Sequence, residues 1–358
     1  MSSPGEMNTT TDEMMTGSDG GGSKEFRFTD YNQRLILAIT FIVISVIGSI
    51  GNSIVIAAVA MSRKLRTATN VFVVSLAIAD LLTNLFLPWN VVALLNEDRS
   101  QWPMEESFCV MAAIILYTCV GSSVYSLASI ALNRFVLITQ PIHVYHHYYS
   151  KVRMGIMVLF TWIIPLFLSL LPLIFGLGQL GYDSKYGTCT HKTSHPLSDY
   201  YSLTQAVIIY PIPLTVILVS YVAIYVHVRA HTKTITEVQD TSESSSSTHK
   251  PKRRESTARR SISKRQVEIT KNLFYVVCAF VLCITPYCAS LVIPGSEPFI
   301  PWAGAIILMN ACINPVIYAT KHPHFKKVMF AIIRCRLSAI PEPSSDCLRA
   351  QGQPIPSR

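Results

Sequence analysis

Seven long apolar runs divide the chain, at roughly 35–61, 71–95, 110–132, 154–175, 202–228, 269–293 and 300–320, each closed at both ends by polar or charged residues. At about 1.5 Å of rise per helical residue, about 20 apolar residues cross a hydrocarbon layer of about 30 Å, and tilt absorbs the excess length of the longer runs. The pattern therefore predicts an all-α membrane protein, a seven-transmembrane helix bundle over residues 35–320. In the third run a nearly uncharged stretch from Val110 to Leu132 has Cys109 at one end and Asn133-Arg134-Phe135 at the other. After Tyr318, basic residues within 321–336 interleave with Phe325, Val328, Met329, Phe330, Ile332 and Ile333. That spacing predicts a short amphipathic helix lying along the membrane interface.

Between and beyond the runs the composition changes. Residues 1–34 are polar and rich in Gly, Ser and Thr, with no short apolar core before a cleavage site, so we expect a disordered tail and an uncleaved anchor in Leu35–Met61. Residues 229–266 read as a flexible basic loop, and residues 337–358, opened by Pro341 and Pro343, as a second disordered tail.

Charge sets the orientation. Of the 30 Lys and Arg residues, 24 fall between runs one and two, three and four, and five and six, or at and beyond the inner ends of runs six and seven. By the positive-inside rule these segments face the cytoplasm, which places the N-terminus outside a plasma membrane that the chain crosses several times. The net charge of +9 is then mainly a topology signal directed at anionic membrane lipids, and no nucleic-acid partner is implied. A 50% hydrophobic, 14% charged composition with a mean hydropathy of +0.37 agrees with the membrane class.

Among nine cysteines, only Cys109 and Cys189 fall in outward-facing segments, which makes them the candidate disulfide. Cys119, Cys278, Cys283, Cys288 and Cys312 lie inside apolar runs and read as small buried hydrophobes. Cys335, just past the amphipathic segment, is a candidate palmitoylation site. Asn8-Thr9-Thr10 is a glycosylation sequon on an outward-facing tail. Ser256, preceded by Arg253 and Arg254, suits phosphorylation by a basophilic kinase, the alternative being a solvated linker.

Asp80 lies about midway along the second run, where an isolated carboxylate must be neutral, hydrogen-bonded or paired with a cation. Two readings stand for it, a polar knot between helices and a switch. Pro211, Pro213, Pro286 and Pro315 sit deep in runs five to seven and predict bends. His143, His146 and His147 share a helical spacing but have no acid or cysteine beside them, so they read as exposed imidazoles. The chain has no phosphate-cradling glycine loop, nucleophile elbow or zinc-hydrolase helix, hence no expected enzymatic activity. The alternative membrane class, a transporter or channel, calls for internal repeats and several facing ionisable groups, whereas Asp80 is the only acid deep in a run.

Asn52, Leu76-Ala77-Ile78-Ala79-Asp80, Cys109 with Arg134, Trp162, Pro213 with Tyr221, Pro286, and Asn314-Pro315-Val316-Ile317-Tyr318 followed by Phe325 stand in an order and spacing that resembles the rhodopsin-like (class A) family of G-protein-coupled receptors over nearly all of residues 35–335. The resemblance implies a receptor for an extracellular small molecule, partnered by a heterotrimeric G protein, arrestin and kinases. It assigns Asn133, Arg134, Tyr221 and Tyr318, with Pro286, Asn314 and Pro315, to G-protein coupling and the activation switch. It likens Asp80, Ser123, Asn310 and Asn314 to a sodium pocket, the ion acting as an allosteric modulator with no cofactor required.

Three positions depart from the family pattern. Asn133 replaces the acid before Arg134, Phe135 replaces a tyrosine, and Ile284 replaces a tryptophan two residues before Pro286. The asparagine is similar to that of melatonin receptors and an orphan branch near them, including moody-type and medium-chain fatty-acid receptors, although the seventh-run Asn-Pro pair is unlike melatonin receptors. Leu116 stands where amine receptors carry an aspartate, and Ile300–Thr320 holds no lysine to bind retinal. The implied pocket lining is Asn90, Leu116, Tyr117, Val120, His191, Gln205, Tyr287, Leu291 and Gly304, a mostly apolar set suited to a lipophilic or amphipathic ligand.

Overall fold

The computed structural model describes residues 26–98, 100–243 and 274–350. Its first helix, α1 (Tyr31–Met61), begins ahead of the apolar run because the Asp30 carboxylate caps it, accepting the Gln33 N–H at 2.8 Å. A 3₁₀ turn, Arg63–Leu65, leads to α2 (Ala68–Leu95), and α3 runs from Glu106 to Thr139. After α4 (Ile142–Tyr148) and α5 (Lys151–Phe175) comes an antiparallel hairpin, β1 (Leu180–Asp183) and β2 (Thr188–His191), in the register Tyr182 opposite Cys189. Then follow α6 (Ser198–Ile209), α7 (Pro211–Glu243), α8 (Phe274–Ser290), α9 (Ile300–Lys321), α10 (Pro323–Ile333) and α11 (Ser345–Ala350). The spans outrun the apolar runs at most ends, since helical hydrogen bonding continues through the polar turns of the interface.

Six stretches among the described residues are long and apolar enough to cross a membrane, with α6 and α7 together counted as one over Ser198–Ala230. Phe274–Ser290 is a shorter apolar helix at the place of the sixth run, whose first residues, 269–273, lie outside the described ones. The fifth span is two helices meeting at Tyr210, because Pro211 and Pro213 remove two successive odd-position donors from the ladder. Its second helix continues to Glu243, so residues 229–243 of the expected flexible loop are helical, while 244–266, with Ser256, lie outside the described residues.

At the core, α3 packs against α2, α5, α7 and the hairpin. A Cβ on Gly121 would overlap the Pro165 ring, so glycine permits the α3–α5 approach. Val55, Leu76, Leu127, Ile130, Ile217, Phe280 and Tyr318 belong to one buried cluster that reaches from the inner ends of the spans to Leu180 in the hairpin.

Two segments expected to be disordered are ordered against their neighbours. Phe28 is buried and donates its N–H to Lys185 O at 2.8 Å, while Arg34, in α1, donates to Leu94 O at 2.6 Å and Asn96 O at 2.8 Å, capping α2. The first 25 residues, with Asn8, lie outside the described ones. At the other end residues 337–350 fold back onto α1, where Ile340 and Cys347 are buried. In both cases apolar anchors too few to form a core of their own borrow one from the bundle. On α10, Phe325, Val328 and Met329 are buried and Lys326 and Lys327 exposed, the amphipathic arrangement expected over 321–336.

Candidate functional site

Cys109, in the first turn of α3, and Cys189, in β2, form a disulfide. The Cys189 N–H also donates to Asn90 Oδ1 at 2.9 Å, so the hairpin is fixed to α2 and α3 together. A third tether comes from Glu106, whose carboxylate accepts the Tyr182 N–H at 3.1 Å and pairs with Lys192 at 3.0 Å. Gly181 has φ 143° and a Cβ there would overlap the Glu106 carboxylate, so glycine is needed on both counts.

Beneath the hairpin lies a vestibule of about 580 Å³ lined by Asn90, Leu116, Tyr117, Val120, His191, Tyr287, Leu291 and Gly304. A deeper cavity of about 70 Å³ shares Tyr117, Val120, His191, Tyr287 and Leu291 and adds Gln205, with Ile209, Ile284 and Cys288 as apolar wall. All nine residues named as a lining from sequence therefore surround one connected space, although Asn90 spends its carbonyl on the hairpin.

His191 organises the polar part of this space. Ser202 Oγ donates to Ser198 O at 3.0 Å and lies 2.9 Å from His191 Nε2, so the serine oxygen accepts from an Nε2–H. The Tyr117 hydroxyl lies 2.7 Å from Nδ1 while the His191 N–H approaches its oxygen at 3.5 Å, so the tyrosine proton goes to Nδ1. The closed network selects the neutral Nε2–H tautomer. Burial lowers the His191 pKa, opposed by the charges of Asp183 and Asp199. Tyr201 meets Tyr117 edge-on at 6.1 Å and accepts from Gln205 Nε2 at 2.6 Å. Tyr201 and Ser202 escape a sequence reading; the clue to them is that Ser202 and Gln205 lie three apart on one helix face below the only histidine of the hairpin.

At mid-bundle the Asp80 carboxylate is 2% exposed, accepting from Ser123 Oγ at 2.7 Å and from Asn314 Nδ2 at 2.8 Å. Asn310, one turn before Asn314 on α9, is buried, and the side-chain oxygens of both asparagines lack a hydrogen-bond partner. A carboxylate with two orphaned carbonyl oxygens and a hydroxyl is a donor set for a hard cation, so these residues fit the sodium ion that the family resemblance implies. Asn52 joins the neighbourhood by donating to Gly48 O and Ala311 O, at 2.9 and 2.7 Å.

At the far end Arg134 is 6% exposed, and Asn133 links α3 to two other elements. Its Oδ1 accepts from Thr69 Oγ1 at 2.5 Å and its Nδ2 donates to the Tyr145 hydroxyl at 3.3 Å. The hydroxyls of Tyr221 and Tyr318 are buried without a hydrogen-bond partner, and Tyr318 stacks on Phe325 at 5.4 Å. Tyr210, at the α6–α7 break, reaches Thr285 Oγ1 at 2.8 Å, next to Pro286. Cys335 is exposed just past α10.

A profile of the family described as 7 transmembrane receptor (rhodopsin family) matches residues 51–318. The 5-hydroxytryptamine receptor 4 of Rattus norvegicus is 26% identical over 346 residues, covering 90% of this chain and 80% of its own length. The histamine H2 receptor of Homo sapiens is 26% identical over 316 residues, covering 85% of this chain and 81% of its own. The crystal structure of squid rhodopsin superposes with a TM-score of 0.71 at 20% identity, covering 93% of this chain and 95% of that one.

Proposed function

The chain belongs to the rhodopsin family of seven-transmembrane receptors, and from that membership we propose that it binds a small lipophilic or amphipathic molecule from outside the cell and passes the signal to a heterotrimeric G protein. It is a multi-pass membrane receptor and not an enzyme. In the proposed orientation the hairpin and vestibule face outward and the Arg134 end faces the cytoplasm, in keeping with the basic residues gathered there.

One observation carries the ligand class. The vestibule adjoins a cavity walled by Val120, Ile209, Ile284, Cys288 and Leu291, and the polar groups that share its lining are already hydrogen-bonded, Tyr117 and Ser202 to His191 and Gln205 to Tyr201. An apolar group enters such a space without stripping water from a charge, and a polar end meets hydroxyl and imidazole at its rim. Leu116 offers no counter-charge to an amine in the third span.

A second reading follows from Asp199 and Glu297, which line the vestibule and would attract a cationic amine; the two relatives above are amine receptors by name. We assign G-protein engagement, with further contacts to arrestin, kinases and membrane lipids, to the inner end around Arg134, Tyr221 and Tyr318, and the sodium site to Asp80, Ser123, Asn310 and Asn314 at mid-bundle.

The test is a second-messenger screen with chimeric G proteins against lipids, neutral small molecules and amines, with Arg134→Ala as the non-coupling control. A response to lipophilic compounds that is abolished by Arg134→Ala supports the first reading. A response confined to amines and lost in Asp199→Asn or Glu297→Gln replaces it with the second.

A further inference from the structure

The Arg134 end of the bundle holds a contact that the receptor reading does not use. The last turn of a helix leaves carbonyls without an intrahelical donor, and at the end of α1 the chain's own tail supplies one, Ser344 N–H donating to Met61 O at 2.8 Å. One step on, Ser62 and Pro343 form a single antiparallel bridge. Around it the Arg63 N–H donates to Glu342 O at 2.9 Å and Ser62 Oγ donates to Pro341 O at 2.8 Å. Ser62 and Ser344 are fully buried, and Ser344 Oγ accepts the Cys347 N–H at 3.2 Å, capping α11. Two apolar anchors flank the bridge, Ile340 and Cys347, both in the cluster that contains Leu65, Val328 and Met329. The Lys64–Glu342 ion pair at 3.5 Å is exposed and contributes little.

The contact is built to stay short. Pro343 has no N–H to extend a ladder, and Glu342 is held at φ 50°, a left-handed conformation that a side chain disfavours. Its backbone hydrogen bonds and two anchors hold a segment that follows α10 and belongs to no span, so it can open without disturbing any of them. Because α10 follows α9 directly, the segment also fastens the end of α10 back to α1.

We propose that the Met61–Leu65 turn is a peptide-docking site whose resident occupant is residues 340–347 of the chain's own tail, and that this clip opens and closes in the folded receptor. Closed, it covers the first turn on the Arg134 side and holds α10 against α1. Open, it releases both. Recognition is by strand addition at the two backbone hydrogen bonds, with Ile340 and Cys347 filling the apolar positions on either side.

The test uses the full-length receptor in nanodiscs, followed by hydrogen exchange and by binding of a fluorescent synthetic peptide with the sequence of residues 337–350. Ile340→Glu removes an anchor outside the spans. It is expected to raise exchange at least about 10-fold in 340–348 and in 61–65 together, the correlated opening of one cooperative unit. It should also let the added peptide bind, whereas the occupied wild type does not take it up. Glu342→Gly relieves the left-handed strain and should slow exchange in both segments. Exchange that rises in 340–348 alone, or peptide binding that is the same in wild type and Ile340→Glu, overturns the proposal.

Discussion

Replacing Asn133 by aspartate tests how the inner end of the bundle is held. The asparagine oxygen accepts from Thr69 Oγ1 and its amide donates to Tyr145, both in buried surroundings, with Arg134 next in sequence and 6% exposed. An aspartate keeps the acceptor toward Thr69 and can accept from the Tyr145 hydroxyl in place of donating to it. It also adds a full negative charge beside the buried guanidinium. A hydrogen bond to a charged group contributes about 1.5–3 kcal/mol against about 0.5–1.5 for a neutral one, so the substitution adds about 1–2 kcal/mol to the arrangement that holds Arg134 inside. If that arrangement is the resting one, the resting-to-active ratio rises about 5- to 30-fold. The assay is ligand-free second-messenger output at matched surface expression, with Arg134→Ala as the floor. We expect wild type to lie above the floor and Asn133→Asp to fall toward it, with the drop persisting in a Tyr145→Phe background, where only the hydrogen bond to α4 is gone. A wild type at the floor, or an Asn133→Asp variant with raised output, refutes the reasoning.

Three further outcomes are expected. Cys109→Ser or Cys189→Ser removes the covalent tie of the hairpin, at a typical cost of about 2–5 kcal/mol, and should lower surface expression and raise hydrogen exchange over 180–191; unchanged expression and exchange would count against the hairpin depending on it. Asp80→Asn, which keeps hydrogen-bonding capacity but removes the charge, should abolish any difference in signalling or thermal midpoint between sodium and a large organic cation at equal ionic strength; a wild type indifferent to sodium removes the cation assignment. His191 has its pKa lowered by burial from the ordinary 6.5, so on acidification the unfolded chain takes up the proton first and stability is lost as pH falls below about 6.5, being fully present above it. The thermal midpoint should therefore drop between pH 7.5 and 5.5 in wild type and drop less in His191→Gln, and equal drops in the two proteins would exclude His191 as the source.

What could be read from the chain and what could not divides along one physical line. The spans were legible because about 20 apolar residues in a row have a single favourable environment, whatever they pack against, and the disulfide because only two cysteines fall in outward-facing segments. The pocket residues and the Asp80 group were implied by the family resemblance, and the structure gathers each set in one place without deciding their roles. Contacts that depend on a partner far along the chain left no local mark. Asn133 reads as a substituted acid, and nothing near it announces Thr69 or Tyr145.

The two tails show the same limit from the opposite side. Low hydrophobicity, glycines and prolines argue that a segment cannot bury enough surface to offset its ordering entropy, and that inference assumes the segment must supply its own core. Here Phe28 enters a cluster built by α1, α2, α9 and the hairpin turn, while Ile340 and Cys347 join the large cluster of the spans through Leu65 of the 3₁₀ turn and Val328 and Met329 of α10. Each docked piece combines buried side chains in a ready-made socket with backbone donors to outside carbonyls, Phe28 N–H to Lys185 O at one end and Ser344 N–H to Met61 O at the other. Pro341 and Pro343 assist, since a proline loses little backbone freedom on docking and its fixed φ suits an extended strand. The feature that reads as a breaker in isolation is thus one of those that make the docked tail affordable. The expected signature is asymmetric: Pro343→Gly should loosen the clip chiefly by enlarging the unlocked ensemble, since every hydrogen bond of the closed form is left intact. Hydrogen exchange over 340–348 that is no faster in Pro343→Gly than in wild type would show that the prolines are bystanders.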